Sequence, residues 1–95
     1  MRYTWDVRKD EENRRKHGLR LADGILALAD PDRLESVDDR FPYGEERITI
    51  LGFAGSRLLL VVHTQRAPDL VRIISARRAT RREQTAYRDR DLAPR

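Results

Sequence analysis

The chain is 95 residues long, with 39% hydrophobic and 38% charged side chains, no cysteine and a net charge of +4. That length supports one small domain over residues 1–95 with a compact core, and the lack of cysteine excludes a disulfide framework or a thiolate metal site. No apolar run approaches about 18 residues and the N-terminus does not read as a signal peptide, so a soluble cytoplasmic protein with no membrane association is expected.

Arg2-Tyr3-Thr4-Trp5 can form a short strand with Tyr3 and Trp5 on one face. Asp6 is a good N-cap for a polar surface helix over 7–17, in which Glu11 and Glu12 precede Arg15 and Lys16 by one turn. His17-Gly18 closes that helix, with glycine just past its end and basic groups against its dipole. A second helix is expected from Leu19 to Ala29, ended by Asp30-Pro31-Asp32. Residues 33–38 suit a short strand, and Asp38 to Glu45 form a charged loop containing Phe41-Pro42-Tyr43-Gly44.

Three strands follow closely, over 46–53, 57–66 and 70–77, separated by turns at Ala54-Gly55-Ser56 and Ala67-Pro68-Asp69. The middle one is apolar on both sides from Leu58 to Val62, which places it centrally in a consecutive antiparallel meander. Thr80 and Glu83 form a capping box for a last helix over about 81–91, and the tail Ala93-Pro94-Arg95 is expected to fray. The order β-α-α-β-β-β-β-α predicts an α+β fold: an antiparallel sheet of four or five strands with two N-terminal helices and one C-terminal helix.

Charge is unevenly spread. Residues 1–46 carry 9 basic and 12 acidic side chains, whereas residues 47–95 carry 11 basic and 4 acidic ones, so the C-terminal half is suited to a polyanion. Arg72 interrupts the apolar run of its strand, and Arg77 and Arg78 stand at its exit, a pattern that suits phosphate binding. Strict alternation puts Arg72 with Ile74, Ala76 and Arg78, and puts Arg77 with Ile73 and Ser75 on the other face. Antiparallel pairing brings His63 or Arg66 of the preceding strand near Arg72. Two distant histidines and scattered acidic pairs make no metal site, and there is no glycine-rich phosphate loop or nucleophile elbow.

Several motifs occur in order: Trp5-Asp6 with Lys9, Asn13 and Lys16-His17-Gly18; Asp30-Pro31; Glu46-Arg47 leading to Leu51-Gly52; Val62-His63-Thr64-x-Arg66; and Arg72-Ile73-Ile74-Ser75-Ala76-Arg77-x-Ala79 with Glu83 and Tyr87. Together they resemble the BrnT family, small ribonuclease toxins of bacterial type II toxin–antitoxin modules. The resemblance covers residues 3 to about 88. It implies a RelE-like fold and a metal-independent ribonuclease, without cofactor, that arrests translation. It also implies a cognate BrnA-type antitoxin, through which alone operator DNA would be contacted. One departure is Leu19-Arg20, which stands where the family often has a Ser or Thr cap.

The residue types suit such chemistry. Metal-free RNA cleavage activates a 2′-hydroxyl, stabilises a pentacoordinate phosphorane and protonates a 5′-oxygen. Arg47, Arg72 and Arg77 are the expected phosphate groups, and His17, Glu83 and Tyr87 the proton-transfer or orienting groups. Lys9, Lys16, His63, Arg66 and Arg78 are the expected additional RNA contacts. The competing reading is a non-catalytic RNA- or DNA-binding or protein-interaction module using the same basic surface. Phe53 and Tyr87 are few aromatics for a base-stacking platform.

Overall fold

The computed structural model describes residues 1–40 and 42–90; Phe41 of the charged loop, the last residue of the expected final helix and the tail expected to fray lie outside the described residues. In chain order the elements are β1 (Arg2–Thr4), α1 (Val7–His17), a 3-10 turn (Leu21–Asp23), α2 (Gly24–Leu28), β2 (Leu34–Asp38), β3 (Arg47–Ala54), β4 (Arg57–Ala67), β5 (Leu70–Arg78) and α3 (Arg81–Asp89).

The described strands form one five-stranded sheet in the order β1-β5-β4-β3-β2. Strands β2 to β5 make the antiparallel meander, and the apolar β4 is central as its sequence predicts. The α+β class and element order match the expectation. The sheet is mixed rather than wholly antiparallel, because β1 lies parallel to β5. Short turns dictate antiparallel pairing only among the later strands; β1 is separated from them by helices, and such a crossover permits parallel pairing. The Arg2 amide bonds to the Asp69 carbonyl at 2.6 Å and pins the register.

Asp6 caps α1 by accepting the Arg8 and Lys9 amides at 2.8 and 3.3 Å, and Gly18 ends it at φ 69°. The second helix is shorter than expected. The Asp23 carboxylate accepts the Arg20 amide and the Asp10 carboxylate accepts the Leu21 amide, each at 2.8 Å. These bonds stabilise a separate 3-10 turn, and the α-helical part begins only at Gly24.

The core lies between α1, the 3-10 turn and α2 on one side and one sheet face on the other. Leu19, Leu21, Ala27, Ile50, Leu59, Val61, Ile73 and Ala76 are buried there, with Tyr3, Trp5, Ile25 and Leu28 packed around them. Gly52 lets α2 come down onto the sheet, since a Cβ at that position would overlap the Ala27 carbonyl oxygen.

The register of β5 decides which side chains meet. Val62 pairs with Ser75, but His63 pairs with Ile73, so the chain takes one extra residue at Ile74. Arg72, opposite Thr64, and Arg77, opposite Leu60, therefore stand on the same face, while Ile73 and Ala76 enter the core. Strict alternation separated the two arginines; the bulge reverses that expectation.

The bulge lies where β1 no longer covers the outer edge of β5. Here α1 supplies the missing partner. The buried Asn13 accepts the Ala76 amide at 3.1 Å and donates to the Ala76 carbonyl at 2.7 Å. Its amide nitrogen also donates to the Leu19 carbonyl at 2.8 Å. One side-chain amide thus satisfies a strand edge as a neighbouring strand would.

Candidate nucleic-acid interface

The sheet face away from the helical core carries a row of polar side chains across three strands. Arg72 on β5 pairs with Thr64 on β4, and continuing the β3–β4 register places Arg47 on the other side of Thr64. Adjacent strands lie about 4.8 Å apart, so the two arginine backbones are roughly 10 Å apart, within reach of one phosphate or two successive ones. Arg77 stands on the same face towards the exit of β5.

The arginines differ in how far they are committed. The Arg47 guanidinium lies 3.8 Å from the Tyr43 ring centroid, and its buried Nε has no hydrogen-bond partner among the described residues. An uncompensated buried donor is costly unless a ligand accepts from it. Arg72 is 32% exposed at its side chain and only 3.9 Å from Asp6, a contact too long for a hydrogen bond. Arg77 donates to both Glu83 carboxylate oxygens at 2.8 Å.

Glu83 is also the second half of the α3 cap: its carboxylate accepts the Thr80 amide at 2.8 Å, and its own amide donates to the Thr80 hydroxyl at 3.2 Å. Burial pushes its carboxyl up, but the Arg77 and Thr80 bonds outweigh this and hold it below the ordinary glutamate value. Glu83 is therefore an ionised anchor for Arg77 and the helix start. Tyr87 is likewise occupied. Its hydroxyl donates to Asp30 at 2.8 Å, and its ring meets Phe53 edge-on at 5.2 Å. Burial and the Asp30 carboxylate raise its hydroxyl above the ordinary tyrosine value, which opposes ionisation.

The remaining basic groups divide by position. Lys9, Lys16 and His17 are exposed on α1 and line a cleft of about 210 Å³ with Glu12, Asn13, Ile74 and Ser75. That cleft follows the bulged edge of β5, so α1 cations and the arginine-bearing strand border one surface. His63 is on the opposite, core-facing side, paired with Ile48 and Ile73. Burial holds its imidazole below the ordinary histidine value, and its Nδ1 has no partner among the described residues. Arg66 is exposed at a second register irregularity of β4. Arg78 pairs with Leu59 and lines a different groove.

The site thus brings together Arg47, Arg72 and Arg77 on one face, with Lys9, Lys16 and His17 along its edge. It does not bring His63, Tyr87 or Arg78 to them. Sequence reasoning missed the roles of Asn13, Asp30 and Tyr43. The signals for Asn13 were its place in the ordered motif set and its neutral polar side chain within a mostly charged helix.

Residues 5–83 match the family described as "Ribonuclease toxin, BrnT, of type II toxin-antitoxin system". The chain belongs to the BrnT family. A BrnT of known structure, the ribonuclease toxin of Brucella abortus solved by crystallography at 1.1 Å resolution, is 25% identical with a TM-score of 0.62. The match covers 85% of this chain and 99% of that one. No curated protein sequence matches. As a family member the chain is a ribonuclease toxin of a type II toxin–antitoxin system, and that class implies an antitoxin partner. Among its described residues no helix is long and apolar enough to cross a membrane.

Proposed function

We propose that this protein is a metal-independent endoribonuclease whose cleavage of RNA arrests translation in the cytoplasm, and that a BrnA-type antitoxin neutralises it. The observation that carries the reading is the Arg47–Thr64–Arg72 row on one sheet face, with the buried Arg47 Nε within it lacking a hydrogen-bond partner among the described residues. Guanidiniums placed there can bind a phosphodiester and strengthen their bonds as charge develops on the phosphorane. Arg77, oriented by Glu83, adds a third cation along the same strand.

In the proposed reaction the RNA 2′-oxygen loses its proton and attacks the adjacent phosphorus. The bond to the 5′-oxygen breaks, and that oxygen leaves with a proton. Of the three proton-transfer candidates, His17 is exposed beside the cleft, whereas Glu83 and Tyr87 are engaged in structural bonds. His17 is accordingly the proposed proton-transfer group, with Lys9 and Lys16 as backbone contacts. Glu83 is a positioning residue for Arg77. Charge stabilisation is assigned to the arginines of this face.

The test is purified, partner-free protein with RNA in a chelator, alongside expression in bacteria with and without the adjoining gene. Cleavage in chelator, and growth arrest relieved by the neighbour, support the reading. Folded protein that binds RNA in a salt-dependent way but never cleaves it, even with ribosomes added, contradicts it.

A further inference from the structure

A second concave surface lies at the hairpin end of the sheet, where Phe53 and Leu58 continue the face that carries Arg47 and Thr64. It is a groove of about 570 Å³ between the β3–β4 hairpin and α3. Phe53, Leu58 and Tyr87 provide its apolar lining, and Arg57, Arg78 and Arg88 its basic groups. Phe53 is 42% exposed, a large apolar ring left in solvent. The side chains of Arg57 and Arg78 have no hydrogen bond or ion pair among the described residues. Arg88 has only a 3.4 Å contact to its exposed neighbour Asp89. The groove is thus apolar within and basic at its rim, with Arg57 and Arg78 lacking a carboxylate partner among the described residues.

We infer that this groove is the docking site for an acidic amphipathic segment of the antitoxin, its apolar side chains seated on Phe53 and Leu58 and its carboxylates meeting Arg57, Arg78 and Arg88. This rests on the reading of the chain as a toxin with an antitoxin partner. An amphipathic helix laid in a groove fits both features, since apolar anchors fill the floor while charge complementarity sets its orientation. Bound RNA fits less well. The Tyr87 ring is already met by Phe53 at an interplanar angle of 87° and covered by the Arg90 guanidinium at 4.9 Å, and its hydroxyl is held by Asp30. The aromatic pair therefore offers little free face for base stacking.

The position also separates two tasks. Arg47 and Arg72 lie further along the same sheet face, and neither they nor the α1 cations are among the lining residues, so a partner can be recognised by residues other than those proposed to meet RNA. The groove still shares α3 with Glu83, the anchor of Arg77.

The test uses the protein encoded by the adjoining reading frame as the probe. Its affinity is measured for the wild type, for Arg57→Glu combined with Arg88→Glu, and for Phe53→Ser, with circular dichroism and unfolding midpoints as controls. The inference predicts at least about 30-fold weaker binding by the double variant at low salt, about tenfold weaker binding by Phe53→Ser, and partner-induced amide protection over residues 53–58 and α3. Unchanged affinity in both folded variants overturns it, as does failure of that protein to bind the wild type. Weakened RNA cleavage by the double variant with full partner affinity also overturns it, and assigns the groove to RNA. RNA cleavage by the wild type is measured separately: its absence defeats the ribonuclease reading while leaving the docking result readable.

Discussion

Asn13 holds Ala76 by both of its backbone polar groups, and this contact secures the bulge that places Arg72 and Arg77 on one face of β5. Replacing Asn13 with alanine leaves the Ala76 amide and carbonyl and the Leu19 carbonyl without their partner. Each buried unsatisfied group costs about 1–3 kcal/mol, partly relieved where water enters, so the expected loss is about 2–4 kcal/mol. Equilibrium urea unfolding measures it. RNA cleavage should fall further than the folded fraction does, because α1 and the arginine strand lose their common register.

Glu83→Gln separates anchor from catalyst. Glutamine still accepts the Thr80 amide, so α3 keeps its cap. The ion pair to Arg77 is lost, at about 1 kcal/mol of stability. Cleavage should drop less than about tenfold, well short of the roughly 10²–10⁴-fold that a proton-transfer group supplies. The carboxyl is depressed in the folded state, so its contribution is full above the ordinary value of 4.5 and is lost as pH falls through the folded value. Wild-type stability should therefore decline below about pH 4.5 more steeply than that of the variant.

Tyr87→Phe removes only the hydroxyl bonded to Asp30. A hydrogen bond to an ionised acceptor predicts a loss of about 1–2 kcal/mol in unfolding free energy. Cleavage by the folded variant should remain within about threefold of wild type, since the assigned role is to hold α3 and no proton transfer is removed. A loss of 100-fold or more, at about the lower bound for removing such a group, returns Tyr87 to the reaction.

His63 gives a pH effect of its own. Its folded-state value lies below the ordinary 6.5 because of burial, so the unfolded chain takes up the proton first as pH falls. Stability from this group is full above about pH 6.5 and declines through the window below it. Thermal unfolding between pH 7.5 and 5.5 should show the decline in the wild type and a flatter profile in His63→Leu.

Much of the fold was legible because local signals agreed. Asp6, Gly18, Thr80 and Glu83 are caps whose chemistry acts within one turn, and the Leu58–Val62 run marked β4 as central. What escaped the sequence depends on distant partners. The bulge at Ile74 needs Asn13, 61 residues earlier, and alternation alone gives the opposite face for Arg77. The parallel β1 and the divided second helix likewise depend on β5 and on Asp10. The run of arginines was readable, but its distribution over the sheet was not: Arg78 and His63 lie on the face opposite Arg47 and Arg72.

The most direct measurement is single-turnover cleavage of a labelled RNA in chelator by wild type, Arg72→Ala and Arg72→Lys, at equal folded concentration. The account predicts a loss of about 10²–10³-fold for Arg72→Ala, as for removal of a group that stabilises transition-state charge, with partial recovery in Arg72→Lys. Cleavage by Arg72→Ala at the wild-type rate contradicts it.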